Sequence, residues 1–429
     1  MSAPDTASQG AHETVLEPAA ERHGGLFAPF QYGYVSGPIL GALWLVTAAV
    51  TVAVVASFAS GLPYAVSIWR CLLWGALAGA ALAYRPGLAS ALAVAAVLAV
   101  ISMLPFGPLR VGEEVSLGGR ALAAASLGLA AIWPLAVMVQ PLPWATATRH
   151  EFEDAVIRFL TGFGYVFFTA IVAIPFYVMV MTSLKNQSEL MQNPLDFTLD
   201  LSKGWDLFRS YSELITDFNF GAYLWTSFYI SVLTVLLTLA FSVPGAYAVA
   251  RLKFKGRAAF SRSILLIYMV PMIVLALPIY IVFSMTGLRN TIFGIVMIYP
   301  VTTIPVALYM LQGYFRGLPA EVEEAGLMDG LSRLAVIWKI TLPLSLPALA
   351  SVSLYVFMIA WNEFLLAFML LDDPSKFTLT RGIASLNSSE IPRQHLMAGA
   401  VIATVPIMVL FLGLERFMTK GLTAGSVKG

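Results

Sequence analysis

Residues 318–343 read LPAEVEEAGLMDGLSRLAVIWKITLP, a polar stretch set in a strongly apolar chain. Pro319 suits the first turn of a helix, where its missing N–H costs nothing. Glu321, Glu323 and Glu324 follow in the first turns, where negative charge complements the helix dipole. Gly326 weakens that helix and Gly330 ends it. Ser332 is placed to cap a second short helix, with Leu334, Ile337, Trp338 and Leu342 at helical spacing on one face. Pro343 and Pro347 stop it before the next apolar run. The stretch predicts a helix–turn–helix lying beside a membrane. It reads either as an interfacial connector or as a docking element for a cytoplasmic partner.

The surrounding composition explains why a membrane is expected. Of 429 residues, 59% are hydrophobic and only 11% charged, with a mean hydropathy of +0.81. A soluble domain carries about 25% charged residues, so a soluble enzyme, a nucleic-acid binder and a disordered chain are excluded. The net charge of +1 gives no global attraction to phosphate or nucleic acid. The lone Cys71 rules out a disulfide framework. His12, His23, His150 and His395 lie too far apart in sequence to suggest a metal site.

A helix needs roughly 20 apolar residues to cross the hydrocarbon core, and about ten such runs occur. Four are Ala-rich, near 38–59, 65–84, 87–105 and 121–139; six follow, near 160–182, 224–249, 262–284, 291–312, 347–371 and 397–417. Arg251, Lys253, Lys255, Arg257 and Arg262 form a basic turn without an acid, which belongs on the cytoplasmic side. Alternation then places both termini and loop 313–346 inside, and 183–223 and 372–396 outside. The expected organisation is a polar cytoplasmic tail 1–37, an added block 38–147, a hydrophilic linker 148–159, a core 160–417 and a cytoplasmic tail 418–429. No internal repeat relates the two blocks.

Within the opening stretch, Glu324-Ala325-Gly326, then Asp329-Gly330, then Ile340-Thr341-Leu342-Pro343 resemble the EAA loop of bacterial ABC-importer permeases. One departure is visible: Gly326 stands where that loop has its second Ala. Ala246-Tyr247-Ala248 through Arg251, Phe254 through Arg257, Ser183 through Lys185, Leu318-Pro319, Trp361-Asn362-Glu363-Phe364 and Gly421 through Gly425 also match. Together residues 155–429 resemble maltose-type carbohydrate permease subunits, binding-protein-dependent inner-membrane components. Residues 1–150 lie outside that likeness.

The resemblance implies an all-α polytopic fold, a six-helix type I importer core preceded by about four extra transmembrane helices, in a bacterial inner membrane. It implies a heterodimer with a second permease subunit, two ATPase subunits, an extracytoplasmic sugar-binding protein, and an oligosaccharide or α-glucoside as cargo. Membrane lipid surrounds the chain, and nucleic acid has no place in the assembly. It assigns coupling to Glu324, Ala325, Gly326, Asp329 and Gly330. It brings the tail (Gly421, Thr423, Gly425, Lys428) to the ATPase, against a simple frayed end. No GxxxxGK[ST] cradle is present. The chain is therefore expected to be non-catalytic and to bind no cofactor or metal, with ATP and magnesium held by the partner ATPase.

Other readings stay open. Asn362 and Glu363 interrupt an apolar run, roughly 24 Å along a helix from Pro347, either in a sugar pathway or in a structural pairing. Asn387, Ser388, Glu390 and Arg393 either meet the binding protein or line a solvated loop. Tyr280, Tyr299, Tyr309 and Trp361 read as packing before sugar stacking. Arg70 in the second run faces a carbonyl, snorkels outward or meets another span. The alternative function is an ion-coupled secondary transporter, which should carry midplane ionisable residues; the core runs hold almost none. A polytopic enzyme would need convergent polar residues, and no such set appears.

Overall fold

A computed structural model describes residues 30, 32–193, 196–388 and 391–423. These fall into two compact units divided between Ile174 and Pro175. Among the described residues, six helices are long and apolar enough to cross a membrane, and a further apolar pair, Arg333–Leu344 with Leu346–Asn362, is bent by 78° at the break between them. Shorter apolar helices at Ile68–Tyr84, Leu88–Ser102 and Met272–Met285 account for the remaining apolar runs.

The first unit contains α1 (Gly33–Ser60), α2 (Ile68–Tyr84), α3 (Leu88–Ser102), α4 (Leu117–Val139) and the start of α5 (Arg149–Ser183). Two three-residue strands, β1 (Tyr64–Val66) and β2 (Leu109–Val111), pair antiparallel with Ala65 opposite Arg110. The closest helix pair is a glycine seam. Gly37 and Gly41 of α1 face Gly75 and Gly79 of α2, and a Cβ on Gly41, Gly75 or Gly79 would fall on a backbone oxygen of the facing helix. Such small-xxx-small spacing lets backbones approach where lipid removes the hydrophobic drive for association. Trp44 extends the packing by donating its indole N–H to the Ala131 carbonyl at 2.9 Å. Arg70 resolves to the carbonyl reading: in the first turn of α2, it donates to the carbonyls of Pro105 at 2.5 Å and Gly107 at 3.4 Å.

The hydrophilic stretch expected as a linker at 148–159 is instead the first turns of α5. Thr148 and Glu151 support its start, with Glu151 Oε2 accepting from the Thr148 N–H at 2.8 Å. Ala155 is fully buried in the core of the first unit and Phe159 packs against it. The compact division therefore comes about two dozen residues later than the composition seam near 150.

The second unit continues with α6 (Gln187–Gln192), α7 (Arg209–Thr216), α8 (Phe220–Arg251), α9 (Arg257–Tyr268), α10 (Met272–Met285), α11 (Ile292–Gly317) and α12 (Ala320–Met328). Next come α13 (Arg333–Val336), a π turn at Ile337–Thr341, α14 (Leu342–Leu344), α15 (Leu346–Asn362), α16 (Leu365–Leu370), α17 (Leu379–Ser385) and α18 (Arg393–Thr423). Two expected spans are broken. The run 262–284 divides into α9 and α10 ahead of Pro271, because the residue before proline is pushed away from helical backbone. The run 347–371 divides at Glu363, whose backbone is extended. The segment from 418, expected as a tail, remains helical to Thr423.

One face of α8 carries a hydroxyl seam. Ser227, Ser231, Thr234, Thr238 and Ser242 recur every three or four residues and are all buried. Thr238 Oγ1 lies 2.6 Å from Thr303 Oγ1 of α11, and Ser227 Oγ accepts from the Leu379 N–H at 2.7 Å. Interhelical bonds of this kind contribute about 0.6 kcal/mol each on average within a bilayer.

Candidate functional site

The opening stretch folds as its residue pattern dictates. The helix α12 starts after Pro319 and ends in a Schellman motif. Leu331 N–H donates to the Gly326 carbonyl and Gly330 N–H to the Leu327 carbonyl, both at 3.1 Å. Gly330 sits at φ +85°, left-handed backbone that glycine adopts without steric cost. Ser332 Oγ then accepts from the Ala335 N–H at 3.3 Å, capping α13. The helix from Arg333 through Leu344 turns by 78° into α15.

The two faces of α12 differ in kind. Glu321, Glu324, Ala325, Asp329 and Gly330 are exposed. Beside them Met328 is 87% exposed, Trp338 72% and Leu334 71%. An acidic rim around protruding apolar side chains is thus presented outward. On the opposite face Glu323 and Gly326 are buried. Glu323 Oε2 accepts from Tyr247 Oη of α8 at 3.2 Å, and Oε1 accepts from Thr341 Oγ1 at 3.0 Å. Arg251 at the end of α8 stands 3.5 Å from the same carboxylate. It also donates to the Leu318 carbonyl at 2.6 Å. A single buried carboxylate therefore joins α12 to α8 and to the turn that leads into α15. The residue pattern read Glu323 only as a first-turn acid. The available signal was its i, i+3 spacing with Gly326, which puts both on one face.

Gly326 has a packing reason. A Cβ there would stand 2.5 Å from Ile340 Cδ1, with Leu331 and Val336 methyls at 3.5 Å. The Ile340 side chain fills the space that an alanine would take.

Asn362 and Glu363 sit together at the α15–α16 break but differ in use. Glu363 turns both carboxylate oxygens onto the start of α16, accepting from the N–H groups of Leu366 at 2.8 Å and Ala367 at 3.1 Å. Its own carbonyl accepts from Thr380 Oγ1 at 2.6 Å. The carboxylate is thereby committed to capping a broken helix, where freed N–H groups need an acceptor in the absence of water. Asn362 is exposed and donates to its own helix at the Met358 carbonyl, 2.9 Å away.

Of the aromatic candidates, Tyr299 and Trp361 are buried, and Trp361 donates its N–H to the Ala403 carbonyl at 3.0 Å. Tyr280 lies under the Arg289 guanidinium at 4.8 Å, while Tyr309 is half exposed. Asn387, Ser388 and Arg393 are exposed near the start of α18. Glu390, Gly425 and Lys428 lie outside the described residues, whereas Gly421 and Thr423 fall in the last turns of α18. The structure leaves Glu324, Ala325, Asp329 and Gly330 exposed together at α12 and its end, with Gly326 on the buried face. The Asn362–Glu363 pair and the described residues Asn387, Ser388 and Arg393 belong to separate places.

A second charged cluster, not anticipated from the sequence, braces the connection between α5 and α8. The Lys185 ammonium is buried and stands 2.8 Å from Asp196; Lys203 pairs with Glu189. Burial works to raise the Asp196 carboxyl, but hydrogen bonds from Lys185 and Thr198 outweigh it and hold the group at about 2. Nearby, His395 Nε2 lies 2.7 Å from Glu213, which also accepts from Arg209 Nε at 2.7 Å.

Residues 242–423 match the family of binding-protein-dependent transport system inner membrane components. The chain is 37% identical over 269 residues to the inner membrane ABC transporter permease protein YcjP of Escherichia coli, covering 62% of this chain and 95% of that protein. It is 34% identical over 282 residues to the trehalose/maltose transport system permease protein MalG of Thermococcus litoralis, covering 65% and 99%. A bacterial ABC transporter chain involved in import of the acidic polysaccharide alginate shares the fold, with a TM-score of 0.54 at 23% identity over 62% of this chain and 97% of that one. These relatives are matched over nearly their whole lengths, and roughly a third of this chain lies beyond them. The protein thus belongs to the binding-protein-dependent transport system inner membrane components, as a maltose-type carbohydrate ABC importer permease subunit: a six-helix core preceded by extra membrane helices.

Proposed function

We propose that the chain is the non-catalytic coupling subunit of a heterodimeric sugar importer, and that α12 is the element through which ATP-driven motion enters it. The partners are a second permease, two ATPase subunits that hold ATP and magnesium, and an extracytoplasmic sugar-binding protein. The cargo is an oligosaccharide or α-glucoside, a class supported by relatives named for trehalose/maltose and arabinooligosaccharides. The basic turn at 251–262 supports a cytoplasmic position for α12 and for both termini.

The observation that carries this reading is the buried Glu323 joint. A short helix with a closed end, fixed to α8 by Tyr247 and to the α15 turn by Thr341, moves as a rigid body and takes two spans with it. Its exposed acids and protruding Met328, Leu334 and Trp338 supply an outward surface for the ATPase. Glu324, Ala325 and Asp329 belong to that surface, Gly326 to the packing that holds it, and Gly330 to its closed end. Gly421, Thr423, Gly425 and Lys428 are assigned to a tail contact with the ATPase. Asn387, Ser388, Glu390 and Arg393 are assigned to the binding-protein side. The capping geometry favours a positioning role for Glu363, leaving Asn362 as the exposed polar group of that pair.

The test is sugar uptake by the reconstituted complex. Glu324→Ala and Gly330→Asp should leave the complex assembled in the membrane while abolishing ATP-dependent uptake. Normal uptake with normal ATPase recruitment in both variants would remove α12 as the coupling element. The ion-coupled alternative predicts uptake without an ATPase, and family membership speaks against it.

A further inference from the structure

We propose that the groove between the start of α9 and the end of α11 is a binding site for the headgroup of an anionic phospholipid. The concavity has a volume of about 800 Å³ and is lined by Phe254, Gly256, Arg257, Ser261, Arg262 and Arg316, with Ala258 and Ala259 between them. Three guanidinium groups from two helices converge there, and no carboxylate lines it. Arg257 is tied to the Ala250 carbonyl at 3.0 Å, which fixes one wall. Arg262 and Arg316 are exposed and make no ion pair among the described residues. Lys253 and Lys255, also exposed and unpaired among those residues, extend the positive field to its rim.

A cationic pocket alone would suit any anion; what lies next to it selects a lipid. Ala259, Arg262 and Leu266 share one face of α9, at i, i+3 and i+7. Leu266 is 63% exposed, and the chain beyond it exposes Met269 and Val270. Arg262 and Leu266 are about 6 Å apart along the helix. The cationic groove therefore runs directly into an exposed apolar strip, and Phe254 and Phe260 are exposed beside it. A phosphodiester held by Arg262 and Arg316 has its acyl chains led along Leu266 and Met269. A soluble phosphate or an acidic protein surface would leave that strip bare. Basic pockets between membrane helices bind acidic headgroups in this manner. Arg316 follows the buried Phe315, which packs in one cluster with Tyr247 of α8, and Arg257 is bonded to Ala250 of α8, so bound lipid would brace the ends of α8 and α11.

The full chain, purified with its partner subunits in detergent, is loaded with phosphatidylglycerol or phosphatidylcholine, and retained lipid is counted by mass spectrometry. Phosphatidylglycerol should be retained in clear preference. Each cation near an anionic headgroup contributes about fivefold in affinity. The double variant Arg262→Gln/Arg316→Gln should therefore lower retention roughly 25-fold, while Arg262→Lys/Arg316→Lys should keep most of it. Equal retention of the two lipids by the unaltered protein overturns the proposal, whether or not the variant assembles. Unchanged retention in the glutamine variant overturns it as well. Displacement of the lipid by millimolar inorganic phosphate would mark a free-anion site instead. Loss of the ATPase subunit with lipid retention unchanged would mark a protein contact instead.

Discussion

The α1–α2 pair and the α8–α11–α12 region solve the same problem in opposite ways. Both hold apolar helices together where burial against lipid gains little. The first does so by removing side chains: Gly37, Gly41, Gly75 and Gly79 bring two backbones into contact, and nothing at that seam can slide without collision. The second does so with polar bonds. Thr238–Thr303 ties α8 to α11, and the Glu323 carboxylate ties α12 to Tyr247 and Thr341. The second region also contains helix breaks before Pro271 and at Glu363, together with a 78° turn. Close backbone contact gives a static block, whereas polar joints between broken helices let rigid pieces move while staying linked. A transport cycle needs the latter.

The largest effect should come from Glu323→Ala. It strands Arg251 without its anion and leaves two hydroxyls without an acceptor, a loss of about 3–5 kcal/mol at a buried pair. Uptake should be abolished and α12 should become protease-sensitive; Glu323→Gln, which keeps an acceptor, should recover part of both. Equal protease resistance in the alanine variant would mean that the joint does not hold α12.

Gly79→Val attacks the other seam. Overpacking costs about 1–3 kcal/mol in a well-packed interior, and here the obstacle is backbone. The thermal unfolding midpoint in detergent should fall while the ATPase still co-purifies. Loss of the ATPase in this variant would contradict the separation of the two packing modes.

Thr238→Val should cost about 0.6 kcal/mol. Thr238→Val/Thr303→Val should cost less than the two single changes combined, since it strands neither hydroxyl. Additive losses would show that the two side chains do not bond each other. Gly326→Ala should lie close to neutral. The gain in helix propensity of up to about 1 kcal/mol opposes the displacement of the Ile340 methyl. Pairing it with Ile340→Val should turn the balance to net stabilisation in the same unfolding measurement.

The smallest effect at neutral pH concerns Asp196. Its folded value, about 2, lies below the ordinary 3.8. The stabilisation is complete above 3.8 and is lost as pH falls from there through 2. The hydrogen-exchange protection factor near Thr198, taken relative to the intrinsic rate at each pH, should stay constant from pH 7 to 5 and fall only under stronger acid.

Much of the fold could be read directly. Every apolar run corresponds to a helix or a broken pair of helices, since helices alone satisfy backbone groups over such lengths in lipid. The turn chemistry of Ser332 and Gly330 was equally local. The breaks were not equally legible. Pro271 signalled one, but Glu363 sits in a run whose hydropathy is continuous, and hydropathy does not register that its carboxylate caps the N–H groups of Leu366 and Ala367 just beyond it. Hydropathy also placed a seam near 150, where charge is concentrated. Ala155 and Phe159 nevertheless pack into the first unit, because the opposite face of those turns is apolar.

For the proposed coupling site, the motif named four exposed residues and the buried Gly326, and passed over the buried Glu323. Glu324 and Asp329 are recognisable because their spacing within α12 is a one-dimensional property. Glu323 acquires its significance from Tyr247 and Thr341, 76 and 18 residues away. The amino-acid sequence by itself determined the membrane class, the helical runs, the helix–turn–helix and the family likeness, all consequences of local composition and short spacing. Only the tertiary structure decided which acid is buried, why residue 326 is glycine, and where unpaired arginines converge. Those outcomes depend on distant residues meeting, and the free energy of such a meeting is not written in the spacing of either partner.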